Sequence, residues 1–133
     1  KYSVFAILGD GEMQEGSIWE ALMAGGHYRV GNLCGILDYN KIQENGPVSE
    51  ILALEPLAEK LRTFNWEVVE ADGHNFTDLK RAFDCFPTVS GKPLFIIAHT
   101  VKGKGISFME NNPAWHGKAP GEKDLKVALD ELV

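Results

Sequence analysis

Hydrophobic and polar positions fall into two kinds of block along this chain. Tyr2–Leu8 is a continuous apolar run, as a strand buried on both faces requires, and Asn32–Asp38 (NLCGILD), Trp66–Ala71 and Leu94–Thr100 (LFIIAHT) repeat the pattern. The segments between carry helical spacing. Gln14–Tyr28 places Ile18 and Leu22 ahead of a small-residue tail, Ala24, Gly25 and Gly26, which predicts a helix with a surface for close packing. Pro56 suits the first turn of a second helix whose apolar face runs through Leu57, Leu61 and Phe64. Asn75, with Asp78 at the third position, caps a third helix reaching Phe86, and a last helix lies near Asp124–Leu132. Tyr39–Ile51, with its Asn, Gln, Gly and Pro, reads as a loop.

Strands interleaved with helices predict a single α/β domain over residues 1–133: an open, mostly parallel sheet with helices on both faces. Ligands of such sheets collect beyond the carboxyl ends of the strands. That singles out Gly9–Glu15, Asn40–Gly46 and Lys102–Gly117. Composition narrows the function classes. With 13 basic and 19 acidic residues the net charge is −6, which argues against nucleic-acid and polybasic membrane binding. Two cysteines, Cys34 and Cys85, form neither a disulfide scaffold nor a zinc cluster, so a reducing cytoplasm is expected. No apolar run approaches the roughly 18 residues needed to span a bilayer. The chain opens Lys-Tyr-Ser and runs straight into a strand, as the interior of a larger protein would.

The first loop, Gly9-Asp10-Gly11-Glu12, leads at once into the predicted helix, whose free N–H groups and dipole favour an anion such as phosphate. Asp-Gly is also a common turn pair. A carboxylate among those amides would repel a phosphate by ~4 kcal/mol per charge pair at ~4 Å and an effective dielectric near 20. The loop is therefore an anion site only if a divalent cation bridges the two. Asn40, thirty positions after Asp10, and the Ile42 carbonyl are hard oxygen donors suited to Mg²⁺ or Ca²⁺, although Asn40 alone also suits a turn. Asp10–Gln14 lacks the alternating acids of a calcium loop.

In the third loop His116 can donate to a phosphate or a sugar hydroxyl. Lys102 and Lys104 (VKGKG) either reach phosphate or stay solvated, and no Walker-type Gly-Lys-Ser/Thr follows. Glu15 and Glu20 lie five apart on the first helix and do not share a face closely. His27 and His74 read as structural, with Asp72-Gly73-His74-Asn75 a turn and cap. Cys34 reads as a small core residue, Cys85 as a helix-face residue, and Trp19 and Trp66 as core or interface.

Gly9-Asp10-Gly11, a gap of about thirty residues and Asn40 together resemble the cofactor motif of the thiamine-diphosphate fold. The strings GDGEMQEGSIWEA, NLCGILDYNKIQ and HTVKGKGISFMENNPAWHG resemble transketolase, specifically the amino-terminal subunit of split transketolases, over nearly the whole chain. The resemblance implies that Asp10, Asn40 and the Ile42 carbonyl hold Mg²⁺, with Ca²⁺ or Mn²⁺ as substitutes. Gly11 would lend its amide to the diphosphate, with Gly9, Glu12 and Lys102 beside it. His116 would touch diphosphate and sugar. Glu15 and Glu20 would sit at a subunit interface and link protons between paired active sites, a catalytic role shared with His116. Many relatives carry two asparagines at the strand end; here Tyr39-Asn40 keeps the ligand position.

The implied reaction is transfer of a two-carbon ketol unit between sugar phosphates, using thiamine diphosphate. The chain would be the central to carboxyl-terminal part of the diphosphate-binding domain, inactive alone. Its implied partner is a pyrimidine-binding domain or a carboxyl-terminal transketolase subunit, in a homo- or hetero-oligomer. Apolar surface near the Gln14–Tyr28 helix, whose small residues allow close approach, is expected to drive that association. Three alternatives stand beside this one. The chain is a non-catalytic Mg²⁺ and diphosphate-binding fragment; or another thiamine-diphosphate enzyme such as a deoxyxylulose-phosphate synthase, against which Met13-Gln14-Glu15-Gly16 argues. Or it is a flavodoxin-like or receiver-like domain with Asp10 in an acidic pocket, which leaves Asn40, Ile42 and His116 unexplained together.

Overall fold

Every predicted strand and helix forms in the computed structural model, which describes residues 2–132. Along the chain come β1 (Val4–Gly9), α1 (Gly16–His27) and β2 (Leu33–Tyr39). A two-stranded antiparallel ribbon, β3 (Ile42–Gln43) and β4 (Gly46–Pro47), leads into the short α2 (Val48–Ile51) and then α3 (Leu57–Thr63). The rest is β5 (Glu67–Asp72), α4 (Phe76–Phe83), β6 (Leu94–His99) and α5 (Glu122–Glu131). The main sheet is parallel throughout, in the order β1-β2-β6-β5.

That order decides where the helices go. The chain steps one way from β1 to β2 and on to β5, then steps back to β6. Parallel crossovers are right-handed, so the reversal sends α4 to the face opposite α1 and α3. On one face Leu37, Phe95 and Ile97 pack with Leu22, Leu57, Leu61 and Trp66; on the other, Cys34, Leu94, Ile96 and Ala71 pack with Ala82 of α4. β6 lies between β2 and β5, and Leu94–Ala98 are buried without exception, so both faces of that strand are apolar. Asn75 caps α4 by accepting from Thr77 N at 3.0 Å and Asp78 N at 3.2 Å, as its sequence position predicts.

Several expectations are corrected. β1 is not buried on both faces: it is an edge strand, and Phe5 and Ile7 remain 52% and 75% exposed. The reason is that α4 covers the β5 and β6 side of that face; Phe5 meets Phe83 at the end of α4 and Phe86 in the turn after it, at ring separations of 6.3 and 5.2 Å. Tyr39–Ile51 is not a plain loop, since it contains the β3–β4 ribbon and α2. α4 ends at Phe83, so Cys85 lies in the exposed turn after it.

Of the small residues of α1, Gly25 and Gly26 pack inward and are no docking surface, whereas Ala24 stays exposed beside Met23 and Tyr28. A Cβ on Gly25 would come within 2.8 Å of the Trp66 ring, and one on Gly26 within 1.8 Å of the Phe64 carbonyl oxygen. Trp66 donates its indole N–H to Leu22 O at 2.7 Å across the same contact. The glycines let α1 sit directly on the α3–β5 connection. Gly26→Ala is expected to cost about 3 kcal/mol, because backbone must move to admit it. Gly16→Ala, where nothing lies within 4 Å, is expected to gain about 0.5 kcal/mol. Urea unfolding of the two variants measures the contrast.

Candidate functional site

The parallel register of β1 and β2 sets Gly9 opposite Asp38, so the loops leaving the two strands meet. Asp10 follows β1 and is only 2% exposed. The chain after β2 turns through Lys41, a non-glycine residue at φ 67°, and that turn points the Lys41 N–H at Asp10 Oδ2. Burial pushes the Asp10 carboxyl above its ordinary range; N–H groups of Lys41 and Gly11 act against it, and the nearby charge of Asp38 adds to the rise. Among the described residues no lysine or arginine forms an ion pair with Asp10; Lys102 acts on it only from a distance.

Around this carboxylate lies a cleft of about 380 Å³. Its walls include Gly9, Asp10, Gly11, Glu12, Asn40, Ile42, Lys102 and His116, so every residue named from sequence as cofactor-binding converges on one space. Asp38, Gln43 and Glu44 line it too, and sequence reading missed them. Asp38 was hidden inside an apolar strand, while Gln43 and Glu44 belong to the ribbon read as a loop; their closeness in sequence to Asn40 was the available signal.

The first loop differs from the expected strand-to-helix turn. A 3-10 turn occupies Glu12–Gln14, and α1 starts only at Gly16, after an extended Glu15. The amino terminus of α1 therefore does not open at Asp10. Gly11 has ordinary helical torsions, φ −63° and ψ −38°, and is needed for closeness instead: a Cβ there would lie 2.9 Å from Gln43 Cβ. Glu12 turns back so that its carboxylate accepts the Gly9 N–H at 3.2 Å.

The third loop, mostly without regular structure, is pinned at several points. His74 Nε2 accepts the Val101 N–H at 2.7 Å, which places any single ring proton on Nδ1 and fixes the chain just before Lys102. Asn112 accepts from Ala114 N at 3.1 Å to start the 3-10 turn Pro113–Trp115 that precedes His116. Trp115 stacks against Phe108 at 5.2 Å and receives Lys118 over its ring at 4.3 Å. Lys104 pairs with Glu110 at 3.3 Å and does not line the cleft. Neither do Glu15 and Glu20, which are exposed; Glu20 borders a separate groove with Met23 and His27.

Asp10, whose carboxylate has no cationic partner among the described residues, lines the cleft with Asn40 and Ile42, and a carboxylate, a side-chain amide and a backbone carbonyl are hard oxygen donors of a chemistry that fits a divalent cation. Among the described residues no three His, Cys, Asp or Glu side chains form a metal cluster. A cation held here relies on amide, carbonyl and ligand oxygens.

The family Transketolase, thiamine diphosphate binding domain, matches residues 1–132. This chain belongs to that family. It is 38% identical over 131 residues to a subunit of the apulose-4-phosphate transketolase of Phocaeicola vulgatus, covering 98% of this chain and 47% of that protein. Identity is 43% over 130 residues to a subunit of the 6-deoxy-6-sulfo-D-fructose transketolase of a Clostridium species, covering 98% and 47%. The chain thus spans about half the length of these curated relatives. Among solved structures, the transketolase of Campylobacter jejuni superposes with a TM-score of 0.91 at 29% identity, over 99% of this chain and 21% of that one. The parallel sheet and its helices thereby match a transketolase fold.

Above the cleft-side end of β2, the buried Tyr39 hydroxyl donates to Glu55. Burial and then this bond push the Tyr39 phenol up, while Tyr39 and the Leu57 N–H hold Glu55 below the usual carboxylate range. A depressed carboxyl stabilises the fold above its unfolded pKa and loses that contribution as pH falls through the folded value. Tyr39→Phe is expected to cost about 1 kcal/mol at neutral pH. The difference from the parent should shrink below about pH 4, as urea unfolding across pH will show.

Proposed function

We propose that this chain is the central to carboxyl-terminal part of the diphosphate-binding domain of a transketolase, acting on sugar phosphates. The observation that carries the reading is the convergence of Asp10, Asn40, Ile42, Lys102 and His116 on one cleft. Its acidic wall attracts Mg²⁺, and the metal in turn makes that wall tolerable to a diphosphate, reversing a repulsion of several kcal/mol. Asp10, Asn40 and the Ile42 carbonyl would hold the metal. Gly11 offers its amide to the diphosphate, and Gly9 and Glu12 shape the loop around it. Lys102 supplies positive charge from the opposite loop, while His116 donates to phosphate and to a sugar hydroxyl. Thiamine diphosphate, when bound, supplies the nucleophilic carbon that takes up the two-carbon ketol unit; the protein's part is orientation and electrostatics.

The pyrimidine half of the cofactor calls for a second domain or subunit. Relatives about twice as long are themselves named as single subunits of a transketolase, which accords with that need. The exposed Glu15 and Glu20 are proposed to meet that partner. The relatives' substrate names, apulose-4-phosphate and 6-deoxy-6-sulfo-D-fructose, describe sugars carrying an anionic end group. A sugar phosphate fits the same pattern. Free thiols at Cys34 and Cys85 accord with a cytoplasmic setting, and no described helix is long and apolar enough to cross a membrane.

Calorimetric titration of thiamine diphosphate into the full chain with its partner is expected to show binding with Mg²⁺ and none with excess chelator. Equal binding in both conditions would overturn the bridging-metal reading. Asp10→Ala should weaken cofactor binding at saturating Mg²⁺ at least about tenfold, even though it removes a negative charge from beside an anion. Tighter binding by that variant would overturn it equally.

A further inference from the structure

Asp38 lines the cleft at the carboxyl end of β2, two residues before Asn40, and neither the cation nor the diphosphate gives it a task. Its contacts do. Asn40 Nδ2 donates to Asp38 Oδ2 at 3.3 Å, and Asn40 Oδ1 accepts the Ile42 N–H at 3.0 Å. Together these contacts fix the sense of the amide. Turned over, its oxygen would face a carboxylate and its NH₂ would face an N–H. Asp38 Oδ1 accepts the Thr100 hydroxyl from just beyond β6, and Thr100 N donates to Tyr39 O at 3.3 Å, so the carboxylate is anchored across two strands.

The arrangement carries a cost that a purely structural residue would avoid. Asp38 adds a second negative charge beside buried Asp10, which raises the cost of ionising Asp10. Asparagine at this position could still accept from Thr100 without that charge. What only the carboxylate does is accept from Thr100 and from Asn40 at once.

We propose that Asp38 is a positioning residue: anchored by Thr100, it holds the Asn40 amide with its oxygen toward the divalent cation. This rests on the cleft being a cation and diphosphate site. A metal donor held in one orientation loses no rotamer freedom on binding, and partners that orient ligands in this way typically govern 10–100-fold in metal affinity.

The test uses Mn²⁺ as the probe, in the full chain with its partner and thiamine diphosphate, with free Mn²⁺ counted by electron paramagnetic resonance. Asp38→Asn is expected to weaken Mn²⁺ binding about 10–100-fold. The double variant Asp38→Asn with Asn40→Asp keeps the net charge and restores a donor facing an acceptor, and it should recover most of the loss. Thr100→Val should lose affinity and Thr100→Ser should keep it, with urea midpoints reporting folding separately. The proposal is overturned if Asp38→Asn binds Mn²⁺ like the parent, or if the swapped pair binds no better than Asp38→Asn. Should Asp38→Asn not fold, parental affinity in both Thr100 variants overturns it, and loss confined to Thr100→Val supports it. Absence of Mn²⁺ binding by the parent is a separate outcome, which removes the cleft reading and this proposal with it.

Discussion

The buried carboxylate of Asp10 is the constraint around which the carboxyl end of this sheet is arranged. An ionised group taken almost wholly out of water is costly unless hydrogen bonds and charge meet it. Here N–H groups of Lys41 and Gly11 are brought to it. Lys41 takes a left-handed torsion that costs an L-residue roughly 1–2 kcal/mol. Gly11 gives up its side chain so that the loop can lie against Gln43. The β3–β4 ribbon then serves as the backing that keeps the turn in place. Without a buried acid to satisfy, none of these features has a reason to be where it is.

The sheet supplies the precision and the loops supply the charge. Asp10, Asp38 and Asn40 of the cleft come from the ends of β1 and β2, strands locked in parallel register, while Lys102 and His116 come from a segment held by turn hydrogen bonds and side-chain contacts. Within that segment Ser107 donates both its N–H and its hydroxyl to Glu131 of α5, and these bonds hold the Glu131 carboxyl below its usual range. The long loop is therefore tethered at its start by His74 and in its middle by α5.

Much of this was legible in the amino-acid order, and the exceptions have physical causes. Apolar runs located all four strands of the sheet because burial on a parallel sheet demands them, and Asn75 announced α4 through its capping chemistry. Asp10, Asn40, Ile42, Lys102 and His116 were named from strand ends and from the family resemblance, and the fold brings them to one cleft. Local patterns carry no information about which strand is an edge, so Phe5 and Ile7 looked like core. Nor do they reveal partners distant in sequence. Gly25 and Gly26 read as an outward surface because Trp66 and Phe64, which occupy that surface, lie some forty positions on. Asp38 escaped notice because its significance lies in a hydroxyl 62 residues away.

The strand order has a consequence for how the chain is made. Among the described residues β6 is the last strand of the sheet in sequence, yet it belongs between β2 and β5. As the polypeptide emerges from a ribosome, β1 and β2 can pair early, but the inner edge of β2 has no mate until Leu94–His99 arrives. Until it does, the paired β1 and β2 leave an open edge, and the segment that seals it, Leu-Phe-Ile-Ile-Ala-His, is an apolar run without Pro or Gly, a composition that favours β-aggregation while exposed. Placing β6 between β2 and β5 is a non-local step, of the kind that slows folding.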